Sequence, residues 1–268
     1  MSRIGRAFSN AKAERRTALV CYLMAGVPSM PRSMEMVMAC VRGGADVMEI
    51  GVPFSDPVAD GPVIQEASVK ALENGVTPRM VLDLVRELRS RTDVPIVLMG
   101  YYNPIFRFGE ERYVKECIST GVDGLIVPDL PLHESGSLMK LCRESGLDLV
   151  QLSTPLTPDQ RAAELANATS GFLYLVTRPG ITGGDTGTTP DMERQVRRAH
   201  EANNGMPVAA GFGISTPEKV RALRGMGADG VIVGSALVAL TLDGSSSADL
   251  EKTVATLAEA CKGRTGEG

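Results

Sequence analysis

Gly44-Ala45-Asp46-Val47-Met48-Glu49-Ile50-Gly51-Val52-Pro53-Phe54-Ser55-Asp56-Pro57 contains the end of one element, the whole of a second and the start of a third. Gly44 suits the left-handed position that closes a helix, and Asp46 suits a turn. Val47–Ile50 then forms a short apolar run of strand type. Prolines at 53, 57 and 62 keep the following segment out of helix and central strand. The same helix-end signal recurs as Gly121-Val122-Asp123-Gly124 and Gly227-Ala228-Asp229-Gly230.

Outward from this unit, apolar runs at Ala18–Leu23, Val47–Ile50, Ile96–Met99, Gly124–Val127, Leu149–Leu152, Phe172–Val176, Val208–Ala210 and Gly230–Val233 read as strands. They are near-continuous rather than alternating, as parallel strands covered by helices should be. The segments between them carry helical period, as in Met34, Val37, Met38 and Val41, or Val81, Leu84, Val85 and Leu88. Leu250, Val254, Leu257 and Cys261 form a further stripe. Thr157-Pro158-Asp159-Gln160 and Ser215-Thr216-Pro217-Glu218 read as capping boxes with proline in the first turn. Eight strand–helix units in 268 residues indicate a (β/α)8 barrel, an α/β fold, as a single domain over residues 1–268 with an extra N-terminal helix. An open doubly wound sheet is the runner-up. Thr241–Ala248 and the last six residues look loose.

Composition narrows the function classes. A net charge of −4 and a pI near 5.4 argue against a nucleic-acid or anionic-membrane surface. No apolar run reaches transmembrane length and no signal segment opens the chain, so the expected location is cytoplasmic. The five cysteines, with no Cys-x-x-Cys pair, read as reduced, buried thiols, and two histidines suggest no metal site.

Strand C-termini form the active face of such a barrel. Glu49 ends the second strand and Asp60 lies in the loop after it, which is an arrangement for acid–base chemistry. The plainer alternatives are that Glu49 pairs with a buried cation and that Asp60 shapes a turn, as Asp56 is expected to do. Gly211-Phe212-Gly213-Ile214-Ser215 after strand seven and Gly234-Ser235 after strand eight read as an anion site. The glycine- and threonine-rich segment 178–190 after strand six reads as a lid. Tyr174, and Tyr101-Tyr102-Asn103-Pro104 after strand three, either line the pocket or pack in the core.

Glu49-Ile50-Gly51-Val52-Pro53-Phe54-Ser55-Asp56-Pro57 with Ala59-Asp60-Gly61-Pro62, Tyr102-Asn103-Pro104, Val127-Pro128-Asp129-Leu130-Pro131, Arg178 with Gly180-Ile181-Thr182-Gly183, Gly211-Phe212-Gly213-Ile214-Ser215 and Gly234-Ser235 together resemble the tryptophan synthase α subunit family. The matches keep the family's order over nearly the full length. The resemblance implies retro-aldol cleavage of indole-3-glycerol phosphate to indole and glyceraldehyde 3-phosphate, with no metal and no cofactor in this chain. By the same resemblance Glu49 is the acid–base residue and Asp60 accepts the indole N–H. Gly183, Gly213, Gly234 and Ser235 hold the phosphate, Tyr174 and Tyr102 contact substrate, and Asp56 and Thr182 switch the loops. It also implies a β subunit that carries pyridoxal phosphate, in an α2β2 assembly. Burial should raise the Glu49 pKa, while Asp60 on a wetter loop should stay ionised. Departures from the family pattern at Val27, at Leu152–Thr157 and at Gly184-Asp185 lie near barrel-mouth loops. A stand-alone indole-releasing lyase, another phosphate-binding barrel enzyme and a non-catalytic activating partner are the alternatives.

Overall fold

A strand that is apolar on both faces must be covered on both, which a closed sheet wrapped in helices achieves. The computed structural model describes residues 1–154, 156–176, 190–202, 205–211 and 213–263. Its strands are β1 (Ala18–Met24), β2 (Val47–Gly51), β3 (Ile96–Met99), β4 (Gly124–Ile126), β5 (Asp148–Ser153), β6 (Leu173–Val176), β7 (Val208–Gly211) and β8 (Gly230–Val233). They pair in parallel in chain order, and β8 returns to β1 to close the barrel. Closure excludes the doubly wound alternative. Each predicted strand is present, with ends displaced by at most one residue.

Helices α1 (Arg3–Ala13), α2 (Met30–Arg42), α3 (Pro62–Glu73), α4 (Pro78–Arg89), α5 (Tyr102–Phe108) and α6 (Glu110–Thr120) belong to the first half. The second half holds α7 (Gly136–Ser145), α8 (Asp159–Ala168), α9 (Pro190–Ala202), α10 (Pro217–Gly225), α11 (Ser235–Leu242) and α12 (Ser247–Cys261). Alternate strand residues Ala18, Val20, Val47, Val97, Ile126, Val150, Phe172, Ala209 and Ile232 fill the barrel. Helix α1 plugs its N-terminal end: Ile4, Phe8 and Ala11 join that interior cluster, with the Phe8 and Phe172 ring centroids 5.4 Å apart. Burying the larger two side chains contributes roughly 1.5–3 kcal/mol each. The outward strand residues, such as Leu19, Met48, Ile50 and Leu98, pack under the helix layer. The five cysteines are buried there and unpaired by disulfides.

The Gly-x-Asp loops do more than turn the chain. Gly44, Gly121 and Gly227 have φ of 101°, 88° and 86°, as the helix-end reading requires. Each aspartate then reaches sideways and accepts an N–H from the start of the preceding strand. Asp46 bonds Leu19 N at 2.8 Å, Asp123 bonds Ile96 N at 2.8 Å, and Asp229 bonds Val208 N at 2.9 Å. Arginines complete two of these sites: Arg16 grips Asp46 through both terminal nitrogens, and Arg89 and Arg3 both hold Asp123. Arg3 thereby ties the α1 plug to the barrel rim.

Two helix-start signals resolve differently from the sequence reading. Thr157 does not cap α8; Pro158 occupies the cap position, and the Thr157 hydroxyl accepts the Thr154 N–H at 2.9 Å instead. Thr216 caps α10 with Pro217 behind it, but the third helical residue is Lys219, so no reciprocal box forms. The segment Thr241–Ala248 is not loose. Thr241 is buried in the last turn of α11, and Ser246 and Asp249 form a capping box that starts α12. Residues 264–268 lie outside the described residues.

Asp123→Ala strands the buried Ile96 N–H and leaves Arg89 without its carboxylate. The expected loss is about 3 kcal/mol of unfolding free energy, read from urea denaturation. An unchanged midpoint would reduce the loop aspartates to turn formers.

Candidate active site

The period of two along β2 sends Val47, Glu49 and Gly51 to the barrel interior and Met48 and Ile50 to the helices. Glu49 therefore points up the axis, 1% exposed, beside Tyr22 of β1 and Val97 of β3 in the strand register. Its Oε2 has no hydrogen-bond partner among the described residues. Among the described residues no cation pairs with it, so the plain ion-pair alternative for Glu49 finds no partner there. Burial, with the charge of Asp60 added, pushes its pKa from 4.5 up to about 8.

Asp60 comes from a loop tied down at several points. Ser68 of α3 both donates to the Phe54 carbonyl and accepts the Phe54 N–H. The Asp60 N–H bonds the Pro57 carbonyl, and Gln65 Nε2 donates to the Asp60 carbonyl. Pro62 in the first turn of α3 fixes where the loop ends. The Tyr101 hydroxyl accepts the Ala59 N–H at 3.0 Å, and its ring stacks on Phe54 at 5.2 Å. Asp60 is half-buried rather than well wetted, and burial raises its pKa to about 6 while the Tyr101 hydroxyl opposes that rise. Near pH 7 the pair is thus split into a protonated Glu49 and an ionised Asp60.

A pocket of about 490 Å³, counting its open mouth, lies over these acids. Tyr22, Glu49, Asp60, Gly61, Ile64, Met99, Tyr174, Gly213, Ile232, Gly234 and Ser235 line it. Its polar end is formed by Gly213, Gly234 and the start of α11 at Ser235. First-turn N–H groups of a helix have no carbonyl partners of their own and favour an anion. Apolar walls between an acid pair and an anion seat suit a flat ring joined to a phosphate.

The structure brings Glu49, Asp60, Tyr174, Gly213, Gly234 and Ser235 together. It does not bring Tyr102: that hydroxyl donates to Glu110 at 3.0 Å, and its ring lies against Phe106 outside the pocket. The neighbour Tyr101 faces the site instead. Asp56 is exposed and accepts from the Ser55 hydroxyl at 2.6 Å. Gly183 and Thr182, with the rest of the expected lid after β6, lie outside the described residues, as does Phe212. Tyr22 escaped the sequence reading; its signal was an aromatic hydroxyl at an inward position of β1. Among the described residues no cluster of three or more His, Cys, Asp or Glu is arranged to hold a metal. Nor, among them, is any helix long and apolar enough to cross a membrane.

A family model described as the tryptophan synthase alpha chain matches residues 8–265. The chain belongs to the tryptophan synthase alpha chain family. A tryptophan synthase alpha chain from Prochlorococcus marinus is 45% identical over 235 residues, covering 88% of this chain and 85% of its own. One from Methanosarcina barkeri is 42% identical over 260 residues, covering 97% and 96%. A chain in the crystal structure of a tryptophan synthase complex from Pyrococcus furiosus superimposes with a TM-score of 0.82 at 38% identity, covering 90% of this chain and 98% of that one. The likeness to tryptophan synthase alpha chains thus runs through both sequence and fold.

Tyr101→Phe removes the group that opposes the rise in the Asp60 pKa, so that pKa should move upward from about 6. The carboxyl carbon-13 shift of Asp60, followed against pH, checks the direction. An Asp60 titration that stays put would mean the Tyr101 hydroxyl serves the Ala59 backbone alone.

Proposed function

We propose that the acid pair in the barrel mouth carries out the lyase reaction of this family. That reaction cleaves indole-3-glycerol phosphate to indole and glyceraldehyde 3-phosphate, a step of tryptophan biosynthesis. The observation that carries the assignment of roles is the split pair, Glu49 held protonated and Asp60 ionised across one pocket. Glu49 gives its proton to the ring carbon that bears the side chain. The ring nitrogen becomes cationic, and the Asp60 carboxylate accepts its N–H hydrogen bond. Glu49, now a carboxylate, takes the proton of the side-chain hydroxyl next to the ring. The carbon–carbon bond then breaks, its electron pair restores the aromatic ring, and the hydroxyl carbon leaves as an aldehyde. Nothing is oxidised or reduced: the ring carbon keeps the proton that Glu49 gave, and Glu49 is reprotonated by the one from the hydroxyl. In this reading the chain needs no metal or cofactor of its own.

The remaining roles follow the pocket. Gly213, Gly234 and Ser235 hold the phosphate together with Gly183, and Tyr174 packs against the ring. Asp56 and Thr182 serve the loop exchange with a partner. That partner is a tryptophan synthase β subunit in an α2β2 assembly, and pyridoxal phosphate belongs to it. Val58, Phe106 and Leu156, 82%, 63% and 71% exposed, all lie on segments that follow strand C-terminal ends. An apolar rim around the mouth supports docking of a protein there. The stand-alone and non-catalytic readings are not favoured by relatives that bear the alpha chain name or by a neighbour solved as a complex. We read residues 1–268 as one barrel unit working in the cytoplasm.

Indole release by the purified chain, with and without a matched β subunit, tests the reading. Release alone that rises on adding the partner is the expected result, and no release in either condition would overturn it. The activity should follow a bell-shaped pH profile, rising as Asp60 ionises near pH 6 and falling as Glu49 ionises near pH 8. Glu49→Gln should abolish cleavage while leaving phosphate-ligand affinity within about twofold. It should also stabilise the fold at alkaline pH. Unfolded Glu49 ionises near 4.5 and folded Glu49 near 8, so its burial penalty is absent below the first value and complete above the second. Unfolding midpoints of the two proteins should therefore diverge between pH 5 and 8. Parallel curves would mean Glu49 is not held neutral.

A further inference from the structure

Tyr22 brings to the pocket a polar atom that the lyase chemistry above leaves unused. The residue is 6% exposed and its ring lines the cavity with Glu49 and Asp60. Among the described residues its hydroxyl has no hydrogen-bond partner, although it faces both carboxylates.

Its position is fixed by two glycines. A Cβ on Gly51 would stand 2.2 Å from the Tyr22 oxygen, so the end of the ring occupies space that a side chain on β2 would fill. A Cβ on Gly234 would stand 3.5 Å from Tyr22 Cβ and Cδ1, so the root of the ring abuts the anion end. The side chain thus runs along the pocket wall from Gly234 and Ser235 toward Glu49 and Asp60. A substrate with phosphate at one end and an indole ring at the other lays its three linking carbons along that line.

The geometry points to Tyr22 as a specificity-determining contact whose O–H donates a hydrogen bond to a hydroxyl oxygen of the three-carbon chain between ring and phosphate. This rests on the lyase reading. The partnerless hydroxyl then has its partner in the substrate, and ligands lacking that oxygen leave it unsatisfied. Sites built to bond a hydroxyl discriminate in this way, whereas purely apolar walls do not.

The test compares wild-type chain and Tyr22→Phe, each assembled with its β subunit, on two probes. Turnover of indole-3-glycerol phosphate gives kcat/KM. Calorimetry with indole-3-propyl phosphate, which has the ring and phosphate but neither side-chain hydroxyl, gives a Kd and reports an intact pocket. The expected result is a fall of about tenfold in kcat/KM with the propyl phosphate Kd changed less than about twofold. Equal losses on both probes would make Tyr22 a packing residue and overturn the inference. So would unchanged kcat/KM in a wild-type background that cleaves normally. Failure of the wild-type complex to release indole would overturn the lyase reading itself, which separates the two failures.

Discussion

Closure of the parallel sheet is the constraint on which the site depends. With β8 hydrogen-bonded to β1, both faces of every strand are covered and α1 seals one end, so water can reach the interior only from the other. A carboxylic acid on the inner wall is then desolvated by the fold as a whole. Glu49 is such a group, and its raised pKa follows from burial first and from Asp60 second. The same closure makes Asp60 different, because a loop over the open end keeps part of its hydration. Two carboxyl groups separated by one barrel rim thereby differ in protonation near neutral pH, one neutral and one negative.

The opposite end of the barrel illustrates how that rigidity is secured. Parallel strands begin with N–H groups that no neighbour has yet reached, and Asp46, Asp123 and Asp229 satisfy three of them. Two of these carboxylates, Asp123 and Asp46, are anchored by arginines from α1, α4 and the residues just before β1. Charged groups thus hold the framework at the closed end, while at the mouth Glu49 retains an unpaired oxygen. Asp148 and Gln195 also keep a buried oxygen without a partner among the described residues, but of these three groups it is Glu49 that lines the pocket. That division matches the general separation of stability and activity between the two ends of such barrels.

Much of this was legible along the chain. Near-continuous apolar runs and recurrent Gly-x-Asp signals placed the strands to within a residue, because a strand buried on both faces has no other composition available to it. Glu49 stood out for the same reason, as a carboxylate in a run where every neighbour is apolar. Local rules failed where a choice was made by non-adjacent partners. Thr157 looks like a helix cap, but its hydroxyl is taken by Thr154. Ser246 caps α12 through Asp249 in a stretch whose serines read as loose. Of the adjacent tyrosines 101 and 102, spacing gives no reason to prefer either.

The sequence by itself determined the barrel, the acid in its second strand and the glycines that line the pocket after β7 and β8, since period, proline placement and glycine freedom are properties of neighbouring residues. The tertiary structure alone decided that Tyr101 rather than Tyr102 faces Asp60, that Asp60 is half-buried, and that Tyr22 stands beside Glu49. Those facts depend on the register between strands and on which loop folds over the mouth. Both are fixed by contacts between residues far apart in the chain, which no local pattern records.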